Sequence, residues 1–407
     1  MPGGEKKEPG GDEVTTIRGR LIMLAIAIMS LYASPTNGQV VRTLPAADRE
    51  LSEQWVEVYG VGAVDGEPWQ VLAGVRAAVF DGQANLYVLD GDARILKFGP
   101  DGIFRGQIGS RGPGPGEVEA PSSLTMSYRG ELIVGDRGAY HLFQPDGTYV
   151  STVRPTEPAF SNVVVPVEGA LVVVGGNRAS MAAGREGRGL PLYRQPLAKG
   201  APTEVIRRIE IPTTQSTKGV GEHGKTSFTF RRPPPYSPTV KLASLGPDRL
   251  ALASATDWEL QVLSADGSVL ASLRRPIAAR PSREADVEVL ERRMRAAGDA
   301  VRTFGESGAA LRVGPARPSI AETIPVIRDV VGDGKGMLFV ARETDPVGGN
   351  EPLIDVVTGD GRYVGTIRGQ PMPLALGPNR LAVYLERDDL DVERLVVRRL
   401  PVGWFSE

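Results

Sequence analysis

Asn85-Leu-Tyr-Val-Leu-Asp90, Arg94-Ile-Leu-Lys-Phe98, Gly99-Pro-Asp-Gly102 and Phe104 to Ile108 follow one another in a stretch that the chain writes twice. The second copy reads Glu131-Leu-Ile-Val-Gly-Asp136, Tyr140-His-Leu-Phe143, Gln144-Pro-Asp-Gly147 and Tyr149 to Val153. Asp101 and Asp146 stand at the same place in the two copies, so the period is 45 residues, which suits a unit of four short strands.

Working outward from 75–153, six segments share the apolar run that follows a turn residue, beginning at Leu86, Leu132, Leu171, Leu250, Leu338 and Leu381. Near-continuous apolar runs of this length, bounded by Gly, Asn and Asp, predict strands buried on both faces. Four units carry a second signature around Asp101, Asp146, Asp266 and Asp360, each followed by Gly. An apolar residue stands three before the Asp (Phe98, Phe143, Leu263, Val357), and others stand three after it (Phe104, Tyr149, Val269, Tyr363) and seven after it (Ile108, Val153, Leu273, Ile367). Asp-Gly between two such runs marks a hairpin, because Gly takes a positive φ without strain. Lys199-Gly200 stands in that place in the third unit.

Each unit therefore reads as strands A, B, C and D. One such sheet cannot cover both its faces, and stacking copies around an axis does so. The expected fold is all-β, a six-bladed β-propeller of four-stranded blades over 40–407. The last unit supplies only A, B and C before the chain ends. Gln54-Trp-Val-Glu-Val-Tyr-Gly60 is strand-like and unassigned. It is expected to pair beside 394–400 and close the ring, which removes exposed sheet edges.

In a propeller the A–B and C–D turns share one rim, and the B–C turns and D-to-A links share the other. The segments 110–121, 176–189, 212–238, 276–324 and 343–351 are all of the second kind, while the turns of the first kind are short. Loops gathered on a rigid scaffold are where binding residues concentrate; the alternative is insertion tolerated at the surface. Segment 276–324 is expected to hold a helix between blades 4 and 5. Ser282 would cap it, Glu284 and Asp286 fall in its first turn, Val287, Leu290 and Met294 share a face, and Gly298 ends it. Arg292, Arg293 and Arg295 make either a solvated basic face or an anion-contacting lid. Segment 212–238 shows no apolar period and reads as a flexible loop, in which His223 and Lys225 are candidate anion contacts.

The net charge is −2 with a pI near 6.0, which carries no footprint of a nucleic-acid binder. Cysteine is absent, excluding disulfides, thiolate metal sites and a cysteine nucleophile. Two histidines are too few for a three-histidine metal site within the chain. Arg18 and Arg20 precede a 13-residue apolar run, Leu21 to Ala33, and small turn-forming residues follow. This predicts a secretory signal within 1–39, cleaved after Ala33 or Gly38, hence an extracytoplasmic, periplasmic or secreted protein. An uncleaved membrane anchor is the alternative, although the run is shorter than the ~18–20 residues a bilayer needs. Residues 1–17 mix both charges, which suggests either a start at Val14 or a long leader.

The run Gly109-Ser-Arg-Gly-Pro-Gly-Pro-Gly-Glu117 resembles the Gly-Pro-Gly-Glu signature of bacterial six-bladed β-propeller proteins related to NHL repeats. Leu86 to Asp90, with Arg94, Ile95 and Phe98, is similar to the NHL repeat itself. The resemblance covers about 75–155 and recurs more weakly to residue 400; the third and sixth units lack Asp-Gly. It implies the fold and export. Related propellers include binding scaffolds, amidating lyases and lactonases, so the fold does not choose an activity.

Asp90 and Asp136 end their B strands beside the long-loop rim, where each could ligate Ca²⁺ or fix its own B–C turn. Glu117 is either a functional carboxylate or a turn-fixing one, and Arg111 beside it is a candidate contact. Gly109 to Gly116 is not a phosphate loop, since no Lys-Ser/Thr and no helix follow. The first functional expectation is a monomeric, non-catalytic propeller binding a protein, peptide or glycan on its long-loop rim. The second is a metal-dependent, lactonase-like hydrolase or lyase, which needs carboxylates from several blades converging on the axis. The third is a structural envelope component.

Overall fold

The computed structural model describes residues 40–52, 55–72, 74–157, 163–175, 189–210, 217–223, 226–232, 235–296, 302–304, 309–311, 320–345, 347–349, 351–389 and 391–405, with backbone alone for 217–232 and 293–311. Residues 1–40 and 41–407 are separate units, and the described part belongs to the second apart from Val40. The expected signal and leader lie outside the described residues.

The A–B–C–D repeat is present six times as antiparallel sheets. The first blade is Ala77–Phe80, Leu86–Leu89, Ile95–Phe98 and Phe104–Ile108, and the second is Pro121–Met126, Leu132–Asp136, Ala139–Phe143 and Tyr149–Val153. Blades 3, 4 and 5 start at Val164–Val167, Lys241–Ser244 and Ile327–Gly332, and blade 6 is Ala375–Leu376, Leu381–Arg387 and Glu393–Arg399 with one strand from the N-terminal side. The B strands are buried on both faces, as their unbroken apolar runs predict: Leu86–Leu89 and Ala170–Val174 are buried throughout. D strands alternate, and Phe104–Ile108 shows a half-buried, exposed, half-buried order before Ile108 closes it.

The Asp-Gly pairs form the C–D turns. Gly102 and Gly147 sit at φ 77° and 96°, which an L side chain rarely adopts. The preceding Asp accepts the N–H two residues on, Ile103 from Asp101 at 3.1 Å and Thr148 from Asp146 at 2.9 Å. Lys199-Gly200 does turn the third blade, with Gly200 at φ 77°. In the five blades with a C–D hairpin the register slips at one place, next to Phe98, Phe143, Tyr193, Leu263 and Val357. A bulge repeated there adds twist to every blade at its outer edge.

Apolar side chains between neighbouring blades form six clusters, one for each pair, including the pair of blades 6 and 1. Val61 lies in that last cluster with Leu86, Leu96, Val383 and Leu395. The closing strand is as expected: β2 (Val56–Val61) pairs with Glu393–Arg399. Beyond expectation, β1 (Val40–Thr43) adds a fifth strand outside Val269–Arg274 of blade 4. Between them, Arg49 O and Thr366 O accept the Thr366 and Leu51 N–H groups of blade 5 and the strap, at 2.7 and 2.9 Å respectively. Residues 40–52 and 55–61 thus run as a strap over blades 4, 5 and 6 in turn.

The strap is tied by a buried ionic knot. Asp355, fully buried in the C strand of blade 5, accepts Trp258 Nε1 (2.7 Å), Arg342 Nε (2.9 Å) and Thr366 Oγ1 (2.7 Å). Arg275, at the end of blade 4, lies 2.8 Å from Asp355, stacks 4.3 Å from the Tyr363 ring centroid, and donates to Pro45 O at 2.9 Å. Asp48 of the strap pairs with Arg275, Arg342 and Arg368. Burial alone would raise the Asp48 pKa, but Arg342 and Arg275 outweigh it and hold the carboxyl below its usual value.

Two inserted segments depart from expectation. Segment 212–238 contains a hairpin, Thr217–His223 paired with Thr226–Arg232, rather than a structureless loop. Its signal was period-2 alternation at Phe228 and Phe230, polar on either side. Segment 276–324 holds the expected helix, α1 (Glu284–Ala296), entered through a two-stranded neck, Arg280–Pro281 with Thr323–Ile324, and also a short hairpin of Arg302–Phe304 with Ala309–Leu311.

Asp355→Asn leaves two buried guanidiniums sharing the single carboxylate of Asp48. Removing one partner of a buried pair costs about 3–5 kcal/mol, and urea unfolding of the variant should show a loss of that size. Because the folded pKa of Asp48 is depressed, its contribution is complete at neutral pH and falls away as pH drops below about 4; Asp48→Asn should flatten that acid limb. An unchanged midpoint in Asp355→Asn would mean that the knot does not hold the strap.

Candidate functional site

The long connections all leave the rim formed by B–C turns and D-to-A links. That rim is built from the residues that the sequence singled out, and most of them are spent on holding it. Asp90 Oδ1 accepts the Asp92 and Arg94 N–H groups at 3.1 and 3.0 Å, and Oδ2 accepts Arg94 Nε and Nη2 at 2.8 and 2.5 Å. Arg94 passes the tether on to Pro68 O and Val71 O, at 2.6 and 2.8 Å, fixing the link between β2 and blade 1. Asp136 accepts Glu119 N at 2.8 Å and Ala120 N at 2.9 Å and so pins the end of the Gly-Pro-rich loop. Both oxygens of each carboxylate accept hydrogen bonds from their own rim segments. The two belong to different blades. Among the described residues no three His, Asp or Glu side chains gather in a group that could hold a metal ion.

Glu117 folds back into its own loop. Its Oε2 accepts the Gly114 N–H at 2.8 Å, and Gly114 O accepts the Glu117 N–H at 3.0 Å. A Cβ on Gly112 would lie 2.2 Å from that carboxylate, so the glycine makes room for it. Arg111 lies next to this loop and is exposed. His223 pairs with Thr226 at the tip of its hairpin, and Lys225 lies outside the described residues. Arg292 is exposed on α1; Arg293 is placed on that helix by its backbone alone. His141 is buried inside the C strand of blade 2, its Nδ1 3.0 Å from Thr152 Oγ1, and burial lowers its pKa.

Helix α1 is fastened to the rim by a cluster that sequence reasoning assigned only to helix polarity. Asp286, fully buried, takes Arg280 Nη1 and Nη2 at 2.7 and 2.9 Å and the Arg283 N–H at 2.8 Å. It therefore supplies a cap at the helix start, a role expected of Ser282. Arg283 also reaches Asp345 at 2.5 Å, in the B–C connection of blade 5. Asp345 in turn accepts the Val347 and Gly348 N–H groups. The Arg280 hydrogen bonds, more than any other contact, hold the Asp286 carboxyl far below the usual carboxylate range.

The channel is a different environment. One A strand from each blade lines a central cavity of about 360 Å³. Ala78, Leu124, Val165, Leu242, Val330 and Leu374 are among its walls. Its polar side chains gather at the A–B turns, the rim opposite the long loops. There Tyr128 of blade 2 reaches across to Ser244 Oγ of blade 4 at 2.6 Å and to Gly334 O of blade 5 at 3.4 Å. Asp333 is the one carboxylate among the lining residues. The converging acids that a metal-dependent reaction on the axis requires are not among them.

No protein-family model and no curated protein sequence matches the chain. Solved structures do. A protein from Bacteroides fragilis whose name calls it exported aligns with a TM-score of 0.51 at 12% identity, over 89% of this chain and 100% of that one. A gluconolactonase from Xanthomonas campestris gives 0.41 at 12% identity, over 81% and 87%. Virginiamycin B lyase from Staphylococcus aureus gives 0.39 at 11% identity, over 81% and 96%. At such identities the likeness is one of fold.

Asp286→Asn should loosen α1 without opening the blades. Amide exchange over 284–296 should quicken while the B strands keep their protection. In the native protein the same release should come with acid, as pH falls below about 4 and through the depressed value of Asp286. Exchange rates in α1 that do not respond to the substitution would show that the helix is held otherwise.

Proposed function

We propose that the protein is an exported binding module whose long-loop rim receives a protein, peptide or glycan partner. The observation that carries this reading is the way α1 is mounted. A propeller closes without it, yet a buried carboxylate, two arginines and a loop of the next blade are committed to fixing its base at that rim. Surface tolerance explains a long insertion; it does not explain a buried anchor for one. Arg111 and Arg292 add exposed guanidiniums to the long connections of that rim. Export rests on the basic, apolar and small-residue order within 18–39. Among the described residues no helix is long and apolar enough to cross a membrane.

The neck allows a clean test. Ser282 N donates to Glu322 O at 2.9 Å, so the insertion leaves and returns at paired strands. Replacing 284–320 by two glycines between Arg283 and Ala321 should leave a folded ring with a melting temperature within a few degrees of the parent. Probed on peptide and glycan arrays, the parent should show ligands that the excised form has lost. Array ligands that survive the excision would place recognition elsewhere and overturn the reading.

A further inference from the structure

The A–B turns of this ring are closed by one polar side chain each in blades 1, 2 and 5. In blade 2 it is Ser127, whose single Oγ accepts the Arg129 and Glu131 N–H groups at 3.3 and 3.0 Å. One oxygen is therefore enough. In blade 1 it is Asp81: Oδ1 accepts the Gln83 and Asn85 N–H groups at 2.9 Å each, and Oδ2 accepts Asn85 Nδ2 at 2.7 Å and the Tyr87 hydroxyl at 3.1 Å. In blade 5 it is Asp333, whose Oδ1 accepts the Lys335 and Met337 N–H groups at 2.7 and 2.9 Å. Neither of these bonds uses its Oδ2.

That surplus oxygen belongs to a residue on the wall of the central cavity, where Asp81 is not found. The Tyr128 hydroxyl lies at the same end, on Ser244. Aliphatic side chains such as Leu124, Val165, Leu242 and Val330 share the remaining wall with the polar backbone edges of the A strands, and about 360 Å³ is within the range of small-molecule sites. Burial raises the Asp333 pKa, outweighing the backbone N–H groups of Lys335, Met337 and Gly336 and the charge of Lys335. Lys335 is exposed, where solvent screens it.

The geometry points to a binding site for a small apolar amine, its hydrocarbon body between the A strands and its ammonium on Asp333 Oδ2. A positive head group supplies a partner for the oxygen that the turn leaves over, and an apolar body packs on the Leu and Val side chains of the wall. The site is separate from the long-loop rim and does not depend on what binds there.

Calorimetry on the full chain at pH 7 with 3-phenylpropylamine, 3-phenylpropanol, 3-phenylpropionate and methylamine separates the contributions. The phenylpropylamine should bind at least about tenfold tighter than the alcohol or the acid, the gain of a charge-assisted hydrogen bond. Methylamine, with the head and no body, should be weaker by a similar factor. Asp333→Asn keeps an oxygen for the turn, so the ring should still fold, and it should bring the amine down to the level of the alcohol. Tighter binding of the acid, an amine preference that survives Asp333→Asn, or no binding by any of the four would overturn the assignment.

Discussion

A ring of sheets has no stable intermediate size. Each blade in this protein buries one face against the blade before and one against the blade after, so the last must meet the first. Here that junction is made by β2, which completes blade 6 from the opposite end of the chain and sends Val61 into the cluster shared with blade 1. The apolar contacts between blades are non-directional and would tolerate some sliding. The ionic knot of Asp48, Arg275, Arg342 and Asp355 is directional. Burying charges is costly, and a knot of this kind adds little net stability over packed hydrocarbon. What it does supply is a unique position for the strap across the seam between blades 4 and 5.

The same contrast separates the two ends of the ring. At the short-turn rim, single side chains close short turns, and Tyr128 bridges across the axis. At the long-loop rim, carboxylates hold whole segments: Asp90 through Arg94 holds the link to blade 1, Asp136 holds the Gly-Pro-rich loop, and Asp286 holds α1. The long connections are therefore mounted at their bases. A mounted loop loses less freedom when something docks on it, which favours recognition.

Much of this architecture was legible because its signals are local. Asp-Gly tips, apolar B strands and an unmatched strand before the first unit act over a few residues and repeat, so each copy checks the others. The ionic knot was not legible, because Arg275 and Arg342 stand 227 and 294 residues from Asp48. The partner of Tyr128 is 116 residues away for the same reason. Asp90, Asp136 and Glu117 were readable as carboxylates at strand ends and in a glycine loop; that they are spent on nearby backbone N–H groups, and in Asp90 also on the Arg94 guanidinium, depends on turn geometry. β1 went unread because all four of its residues are exposed, and an edge strand with no buried face leaves no pattern.

The strap also sets an order of events. The segment that leaves the ribosome ahead of every blade finds its docking sites only in the three blades synthesised last. Until Glu393–Arg399 is available, β2 has nothing to pair with, and the seam between blades 6 and 1 stays wet. Assembly is thus fastened only once the sixth blade has been made, like a belt whose buckle follows its strap. A ring built this way locks by one long-range pairing, and pairings of that separation favour slow folding.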